Sequence, residues 1–169
     1  MTTETKNEIS TIEQYIQMLI EMYSQNSNHW ESIAKCYEFF LENGAKLTEI
    51  DREASIKEGL GKEAKQCYGN CQGIALYRKD LTYYDGYCMS VIPLEHAWLV
   101  NEDGEIVDPT LGIPFRGKDM LPEKADYIGL PIPRAYIQKI IFGESIWRPL
   151  WLTMVHEELF PGKELPKFF

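Results

Sequence analysis

The sequence predicts an α+β fold in which several helices, one bearing a cysteine, accompany a small antiparallel sheet. Apolar residues recur at helical spacing in the first third of the chain. In the middle third, β-branched and aromatic residues fill short segments separated by turn residues. A chain of 169 residues can bury a core of its own. We therefore expect a single domain over 1–169, with a helical part at 1–60, a core at 61–132 and a helical or irregular part at 133–169.

The first 60 residues carry the signals of three amphipathic helices. Ser10 and Glu13 have capping-box spacing just before a stripe of apolar residues. Asn28 repeats the start signal, and Gly44 is a plausible stop for the second helix. A third, more polar helix is expected from Thr48 to about Leu60. Because amphipathic helices need an apolar surface to cover, we expect all three to pack on the rest of the domain.

The rest of the chain alternates between helical and extended patterns. A helix is expected from near Cys67 to about Lys79, and another from Pro133 to about Phe142. A glycine- and proline-rich loop is expected over 111–124, and the segment 147–159 is either a last helix or an irregular apolar wrap. The expected extended segments are 81–92, 96–101, 105–110 and 127–132.

A hairpin is expected around the sequence Glu102-Asp103-Gly104, and its loop length decides whether His96 and Asp108 can meet. A three-residue loop needs a left-handed residue at its third position, which Gly104 supplies. In that register His96 and Asp108 are diagonal neighbours on one face, with their Cβ atoms roughly 7 Å apart. A two-residue loop would put them on opposite faces.

Cys67, His96 and Asp108 occur in the chain order of a nucleophile, a base and an orienting carboxylate. Cys67 is expected in the first turn of a helix, where exposed N–H groups favour a thiolate and can stabilise an oxyanion. Cys71, four residues later on the same helical face, is the alternative nucleophile. Its N–H environment is less exposed, so we expect Cys71 to be a small buried residue below the site.

Simpler interpretations of these residues remain open from the sequence. His96 could be a core histidine with satisfied hydrogen bonds, and Asp108-Pro109-Thr110 could be an ordinary turn. A zinc site built from the three cysteines at 67, 71 and 88 with His96 is disfavoured, because Cys-x3-Cys is not the usual ligand spacing. We therefore expect no metal and no organic cofactor.

Composition and charge narrow the classes of partner. A net charge of −9 argues against nucleic-acid binding and against binding to an anionic membrane surface. Four cysteines are too few for a disulfide framework at this length. The polar start of the sequence lacks the apolar segment of a signal peptide, and no apolar run reaches membrane-spanning length. We expect a cytoplasmic protein with reduced thiols.

Several short segments over about residues 61–132 form a set in a fixed order. They are Cys67-Tyr68-Gly69-Asn70, the strand Tyr84-Asp85-Gly86-Tyr87, the histidine and aspartate segments His96-Ala97-Trp98 and Asp108-Pro109-Thr110, and the later segment Tyr127-Ile128-Gly129-Leu130-Pro131. Together they resemble the transglutaminase-like branch of the papain-like fold, and the first is similar to the nucleophile segment of small bacterial and phage proteins of that group. Two departures from the pattern are Gly69, inside the expected helix, and Cys71, where a small residue such as alanine is usual.

This resemblance implies a cysteine-bearing helix packed on an antiparallel sheet that carries His96 and Asp108. It implies a thiol acyl-transfer enzyme in which Cys67 is the nucleophile, His96 the general base and acid, and Asp108 the orienting carboxylate. The reaction class covers peptidase, amidase, deamidase and transglutaminase activities on a peptide, a protein, or a small amide or ester. Candidates for the substrate pocket or the oxyanion donor are Gln66, Tyr84 and Trp98.

Two other function classes remain as alternatives. A fold does not fix a function, so the chain could be a catalytically inactive module that binds a protein or a ligand. A nucleotide-processing protein is less favoured, because no glycine-rich phosphate loop is followed by Lys-Ser or Lys-Thr. The aromatic residues that could serve a partner protein are Trp147, Trp151, Phe160, Phe168 and Phe169.

Overall fold

A computed structural model describes residues 10–25, 27–114, 116–144 and 148–166. These residues form six helices and five strands, which confirms the α+β class. The helices are α1 (Thr11–Gln25), α2 (Ser27–Asn43), α3 (Arg52–Gly59), α4 (Cys67–Tyr77), α5 (Arg134–Glu144) and α6 (Trp151–Leu159). The strands are β1 (Ala45–Leu47), β2 (Thr82–Met89), β3 (Pro93–Val100), β4 (Ile106–Val107) and β5 (Tyr127–Pro131).

The five strands form one curled antiparallel sheet in the order β1-β5-β2-β3-β4. Strand β2 is central and pairs along its whole length with β3, so that Gly86 lies opposite His96. Because side chains alternate between the faces of a strand, His96 and Trp98 share one face of β3, whereas Glu95 and Ala97 share the other.

Two buried clusters cover the two faces of the sheet. The larger cluster includes Ile12 from α1, Phe40 from α2, Ala97 from β3 and Val155 from α6. The smaller cluster lies on the face that carries His96. It includes Trp98 from β3, together with residues from β2, β4 and β5. The first two helices therefore pack on the rest of the chain, as predicted from their amphipathic patterns.

The start of α1 forms for the reason that the sequence pattern indicates. The hydroxyl of Ser10 accepts a hydrogen bond of 3.2 Å from the backbone N–H of Glu13. The carboxylate of Glu13 accepts one of 2.9 Å from the N–H of Ser10. This reciprocal capping box satisfies two N–H groups that a helix start otherwise leaves unpaired.

The third helix is shorter than predicted, since α3 begins at Arg52 rather than at Thr48. Residues 45–47 form β1, which pairs with β5 and was not predicted. The backbone of Glu49 and Asp51 bonds to Ile106, so pairing to a distant strand replaces helix at these residues. Asp51 then caps α3, because its carboxylate accepts a hydrogen bond of 2.9 Å from the N–H of Ala54.

Further boundaries shift by a few residues. The extended segment predicted over 81–92 ends at Met89, and residues 90–92 turn the chain so that β3 begins at Pro93. The helix that carries the cysteine ends at Tyr77, two residues earlier than predicted. The last helix begins at Trp151, where Asp85 accepts hydrogen bonds from the N–H groups of Leu150 and Trp151 at 2.5 and 3.3 Å.

Two of the five aromatic residues that could serve a partner protein, Trp151 and Phe160, lie among the described residues. Trp151 is buried in the core against Tyr37 and Phe40, at ring-centroid distances of 5.1 and 4.6 Å. Phe160 is half-buried. The other three members of that prediction, Trp147, Phe168 and Phe169, lie outside the described residues.

No helix among the described residues has both the length and the apolar character that crossing a bilayer requires.

Candidate active site

The β3–β4 hairpin has the loop that the sequence predicts. Leu99 pairs with Val107, and the N–H of Asn101 donates a hydrogen bond of 3.0 Å to the carbonyl of Glu105. Three residues therefore form the loop, and the last of them, Gly104, has a φ of +83°. The predicted register is confirmed, and it places His96 and Asp108 on the same face.

The side chains of His96 and Asp108 meet below the surface. The imidazole Nε2 of His96 lies 2.7 Å from Oδ2 of Asp108, and both residues are buried. The other carboxylate oxygen, Oδ1, accepts hydrogen bonds of 3.0 Å from the N–H groups of Thr110 and Leu111. These bonds fix the plane of the carboxylate, so the imidazole is held in one orientation.

Tyr127 supplies a further donor to the same carboxylate. Its hydroxyl donates a hydrogen bond of 3.0 Å to Oδ2 of Asp108, the oxygen that also contacts His96. Tyr127 is the first residue of β5, and it lies opposite Cys88 on the same sheet face as His96. Sequence patterns predict this strand, but nothing in them assigns Tyr127 to the site.

The buried pair favours a charged imidazole. Burial alone would lower the pKa of His96, but the charge of Asp108 and the hydrogen bond to it outweigh burial and hold this pKa well above its ordinary value. Burial would likewise raise the pKa of Asp108, whereas the His96 charge and the hydrogen bonds to the carboxylate bring it below its usual range. The contact with Asp108 therefore favours the protonated form of the imidazole.

Cys67 is the first residue of α4 and is half-buried. Its side chain interacts with the imidazole of His96, and this interaction adds to the rise in the pKa of His96. Because Nε2 is engaged by Asp108, Nδ1 is the ring nitrogen left for the thiol. The preceding residue, Gln66, is the N-cap of α4 and makes no side-chain capping bond, so the first N–H groups of the helix are not closed by that side chain.

Asn70 connects the cysteine-bearing helix to the turn that holds Asp108. Its amide Nδ2 donates hydrogen bonds of 2.8 Å to the carbonyl of Glu63 and of 3.0 Å to Oγ1 of Thr110. Asn70 lies one helical turn after Cys67, and Thr110 lies two residues after Asp108. This side chain therefore sets the position of the nucleophile relative to the carboxylate.

Helix α3 supports the aspartate turn from the other side. The backbone N–H of Asp108 donates a hydrogen bond of 2.9 Å to Oγ of Ser55, and that hydroxyl donates to the carbonyl of Asp51. A Cβ at Gly112 would lie 2.2 Å from the carbonyl oxygen of Ser55, so only glycine permits this approach. Neither Ser55 nor Asn70 was singled out from the sequence, because their partners are distant in the chain.

Cys71 is buried, as expected for a residue below the site. Its Sγ lies 3.3 Å from the carbonyl oxygen of Ala97, and burial raises the pKa of its thiol well above the ordinary value. Cys88 is also buried, and its pKa is raised by burial to about 11. The half-buried Cys67 is thus the thiol best placed to react among these three cysteines.

The three predicted pocket or oxyanion residues occupy different positions. Gln66 is exposed and Tyr84 is half-buried. Trp98 is fully buried, and its ring packs behind His96 at a centroid distance of 6.4 Å. As a result, Trp98 supports the histidine from inside the protein instead of lining an open pocket, which corrects the expectation for this residue.

The described residues contain no group of three or more His, Cys, Asp or Glu side chains placed to hold a metal ion. No family model, curated protein or solved structure matches the chain.

Proposed function

We propose that this protein is a cysteine-dependent acyl-transfer enzyme in which Cys67, His96 and Asp108 act as a triad. The observation that supports this most strongly is the buried contact of 2.7 Å between Nε2 of His96 and Oδ2 of Asp108. Cys67, at the start of α4, contributes to the raised pKa of the same ring. A papain-like arrangement, with the cysteine at a helix start and the other two residues on a sheet, is part of this proposal.

The thiol and the imidazole form the reactive pair in this mechanism. Transfer of the thiol proton to His96 gives a thiolate and an imidazolium, and Asp108 stabilises the imidazolium. The thiolate of Cys67 then attacks the carbonyl carbon of an amide or ester. The N–H groups at the start of α4 are the nearest donors for the resulting oxyanion.

The acyl group then passes through a thioester. When the tetrahedral intermediate collapses, the imidazolium of His96 gives its proton to the departing amine or alcohol, and an acyl-cysteine remains. Water or an amine next attacks the thioester, and His96 takes a proton from it. Attack by water completes hydrolysis, and attack by an amine completes transfer. Neither route needs a metal or an organic cofactor.

Trapping the acyl-enzyme tests this proposal. Wild type and the Cys67→Ala, Cys71→Ala and His96→Ala variants are incubated with p-nitrophenyl esters and with acyl amides, and the proteins are analysed by intact mass. We expect a burst of nitrophenol and one acyl group on Cys67 in wild type and in Cys71→Ala, and loss of both in the other two variants. Retention of full activity in folded Cys67→Ala or His96→Ala contradicts the proposed triad.

The alternative is a non-catalytic module that binds a protein or a ligand on the same fold. It shares the fold but needs no reactive thiol, so the same experiment separates the two functions. A Cys67 thiol that reacts no faster than an unperturbed cysteine, in wild type and in His96→Ala alike, favours the module.

A further inference from the structure

A cavity of about 390 Å³ lies next to Glu95, on the sheet face opposite His96. We call it the Glu95 pocket and define it by Glu95 and three aromatic residues, Tyr23, Tyr37 and Trp151. Tyr37 stacks on Tyr23 at 5.7 Å and meets the edge of Trp151 at 5.1 Å between ring centroids. Three aromatic rings thus stand beside one carboxylate.

The Glu95 carboxylate accepts a hydrogen bond from a tyrosine. Its Oε1 accepts a hydrogen bond of 3.2 Å from the hydroxyl of Tyr87, which lies 3.2 Å from the hydroxyl of Tyr37. None of the ion pairs between described residues includes Glu95. The residue is accessible from solvent, so a ligand can reach a carboxylate that no ion pair in the described part of the chain neutralises.

Electrostatic effects on the neighbouring groups agree with this geometry. Partial burial raises the pKa of Glu95, and the bond from Tyr87 opposes the rise. Burial followed by the charge of Glu95 raises the pKa of Tyr23. Arg148 also lines the cavity. A cation bound beside the Glu95 carboxylate would stabilise its charged form.

Aromatic rings around a carboxylate are suited to a cationic side chain. Tyrosine and tryptophan faces attract ammonium and guanidinium groups, most strongly where water is excluded. The net charge of −9 adds a long-range attraction for cationic substrates. Apolar or anionic side chains gain neither effect.

Helix α4 connects the proposed nucleophile to the Glu95 pocket. It begins at Cys67, and its residue Gln72 donates a hydrogen bond of 2.7 Å to the carbonyl of Arg148, which lines the cavity. Tyr68, which follows Cys67, packs against the same buried cluster as Tyr37 and Trp151. One helix therefore carries the nucleophile and borders the pocket.

We propose that the Glu95 pocket binds a basic side chain, lysine or arginine, of a peptide whose acyl group is attacked by Cys67. The pocket then determines specificity, and Glu95 recognises the substrate without taking part in the chemistry. This inference rests on the proposed function, so its test is designed to separate failure of the pocket from failure of the triad.

The test compares matched pairs of peptide chloromethyl ketones that alkylate Cys67. Each pair differs in one residue, lysine or the uncharged norleucine, placed first, second or third from the reactive group. We expect the lysine reagent to react about 10-fold faster at one of the three positions. This ratio falls towards one in Glu95→Gln and at high salt, and it is retained in Glu42→Gln, which changes an exposed glutamate on α2.

Equal rates for lysine and norleucine at all three positions overturn the pocket, as does a ratio that Glu95→Gln leaves intact. If iodoacetamide still labels Cys67 in a manner that depends on His96, the triad stands without the pocket. If no reagent labels Cys67, the same peptides as amides are titrated into the protein and followed by tryptophan fluorescence. Tighter binding of the lysine peptide, lost in Glu95→Gln, then supports the pocket, and equal binding overturns it.

Discussion

The side chain of Asn70 donates a hydrogen bond of 3.0 Å to Oγ1 of Thr110, and this bond joins two separate parts of the fold. Asn70 belongs to the helix that begins with Cys67, whereas Thr110 belongs to the turn that begins with Asp108. The proposed triad therefore depends on the packing of a helix against a hairpin, and this bond controls their relative position.

Removing either partner of this bond lowers both stability and thiol reactivity. We compare the unfolding free energies of wild type, Asn70→Ala, Thr110→Val and the double variant in a double-mutant cycle. We expect a coupling energy of about 0.5–1.5 kcal/mol between the two side chains. The rate of iodoacetamide labelling at Cys67 falls in both variants. The control is Asn43→Ala, whose amide bonds the carbonyl of Phe39 at an exposed helix end. Additive effects at Asn70 and Thr110 would contradict the coupling.

Tyr127 modulates the charge on the imidazole. Because its hydroxyl competes with His96 for Oδ2 of Asp108, its removal in Tyr127→Phe gives the imidazolium a more basic partner. We expect the pKa of His96 to rise. The change in the labelling rate of Cys67 that accompanies loss of the imidazolium proton then moves to higher pH. Loss of a bond to a charged acceptor also costs about 1.5–3 kcal/mol of stability.

The matched control for this change is Tyr83→Phe. Tyr83 is also buried and donates a hydrogen bond of 3.3 Å to a carboxylate, that of Asp85. It is expected to lower stability without moving the labelling profile. An unchanged profile in Tyr127→Phe shows that Tyr127 has a structural role alone.

Asp85 makes stability depend on pH. Burial raises its pKa to about 7, although the N–H groups of Leu150 and Trp151 oppose the rise. An unfolded aspartate has a pKa of about 3.9, so between these values the unfolded chain binds fewer protons than the folded one. The contribution of Asp85 to stability therefore decreases as pH rises through this window, by at most about 1.4 kcal/mol per pH unit.

The Asp85→Asn variant isolates this effect. Urea unfolding of wild type and variant at pH 5 and pH 7 gives the difference between their unfolding free energies at each pH. We expect wild type to lose about 1–3 kcal/mol relative to the variant between these two values. A difference that stays constant with pH would mean that Asp85 titrates normally in the folded protein.

Gly129 makes room for the ring behind His96. A Cβ at this position would lie 2.5 Å from Cη2 of Trp98, so Gly129→Ala must displace the indole. We expect a loss of about 1–3 kcal/mol and slower labelling of Cys67, measured by urea unfolding and by labelling rate. Gly73→Ala is the control, because nothing lies within 4 Å of a Cβ there. In the interior of α4 it is expected to stabilise by about 0.5–1 kcal/mol, and similar effects of both changes would contradict the steric account.

Local patterns were sufficient to predict the hairpin and the start of α4. The hairpin register follows from the alternation of side chains and from the left-handed position at Gly104. Its consequence, the contact between His96 and Asp108, could therefore be predicted from the amino-acid sequence. The capping box at Ser10 is a further case in which both partners lie within one turn of chain.

Long-range contacts were beyond local patterns. The three-residue strand β1 has no strong signal of its own and exists because β5 offers a free edge. Ser55, Asn70 and Tyr127 reach the aspartate turn from three different elements, 53, 40 and 19 residues away from their partners. Which side chains support a site is decided by such tertiary packing, which spacing along the chain does not encode.

The measurement that tests the central claim most directly is the pH dependence of iodoacetamide labelling, with the labelled cysteine identified by mass spectrometry, in wild type and His96→Ala. The proposed thiolate–imidazolium pair predicts selective labelling of Cys67 well below the ordinary thiol pKa of about 8.5. It also predicts that His96→Ala slows this labelling and moves it towards that ordinary value. Slow labelling of Cys67 near pH 8.5 in both proteins would contradict an assembled triad.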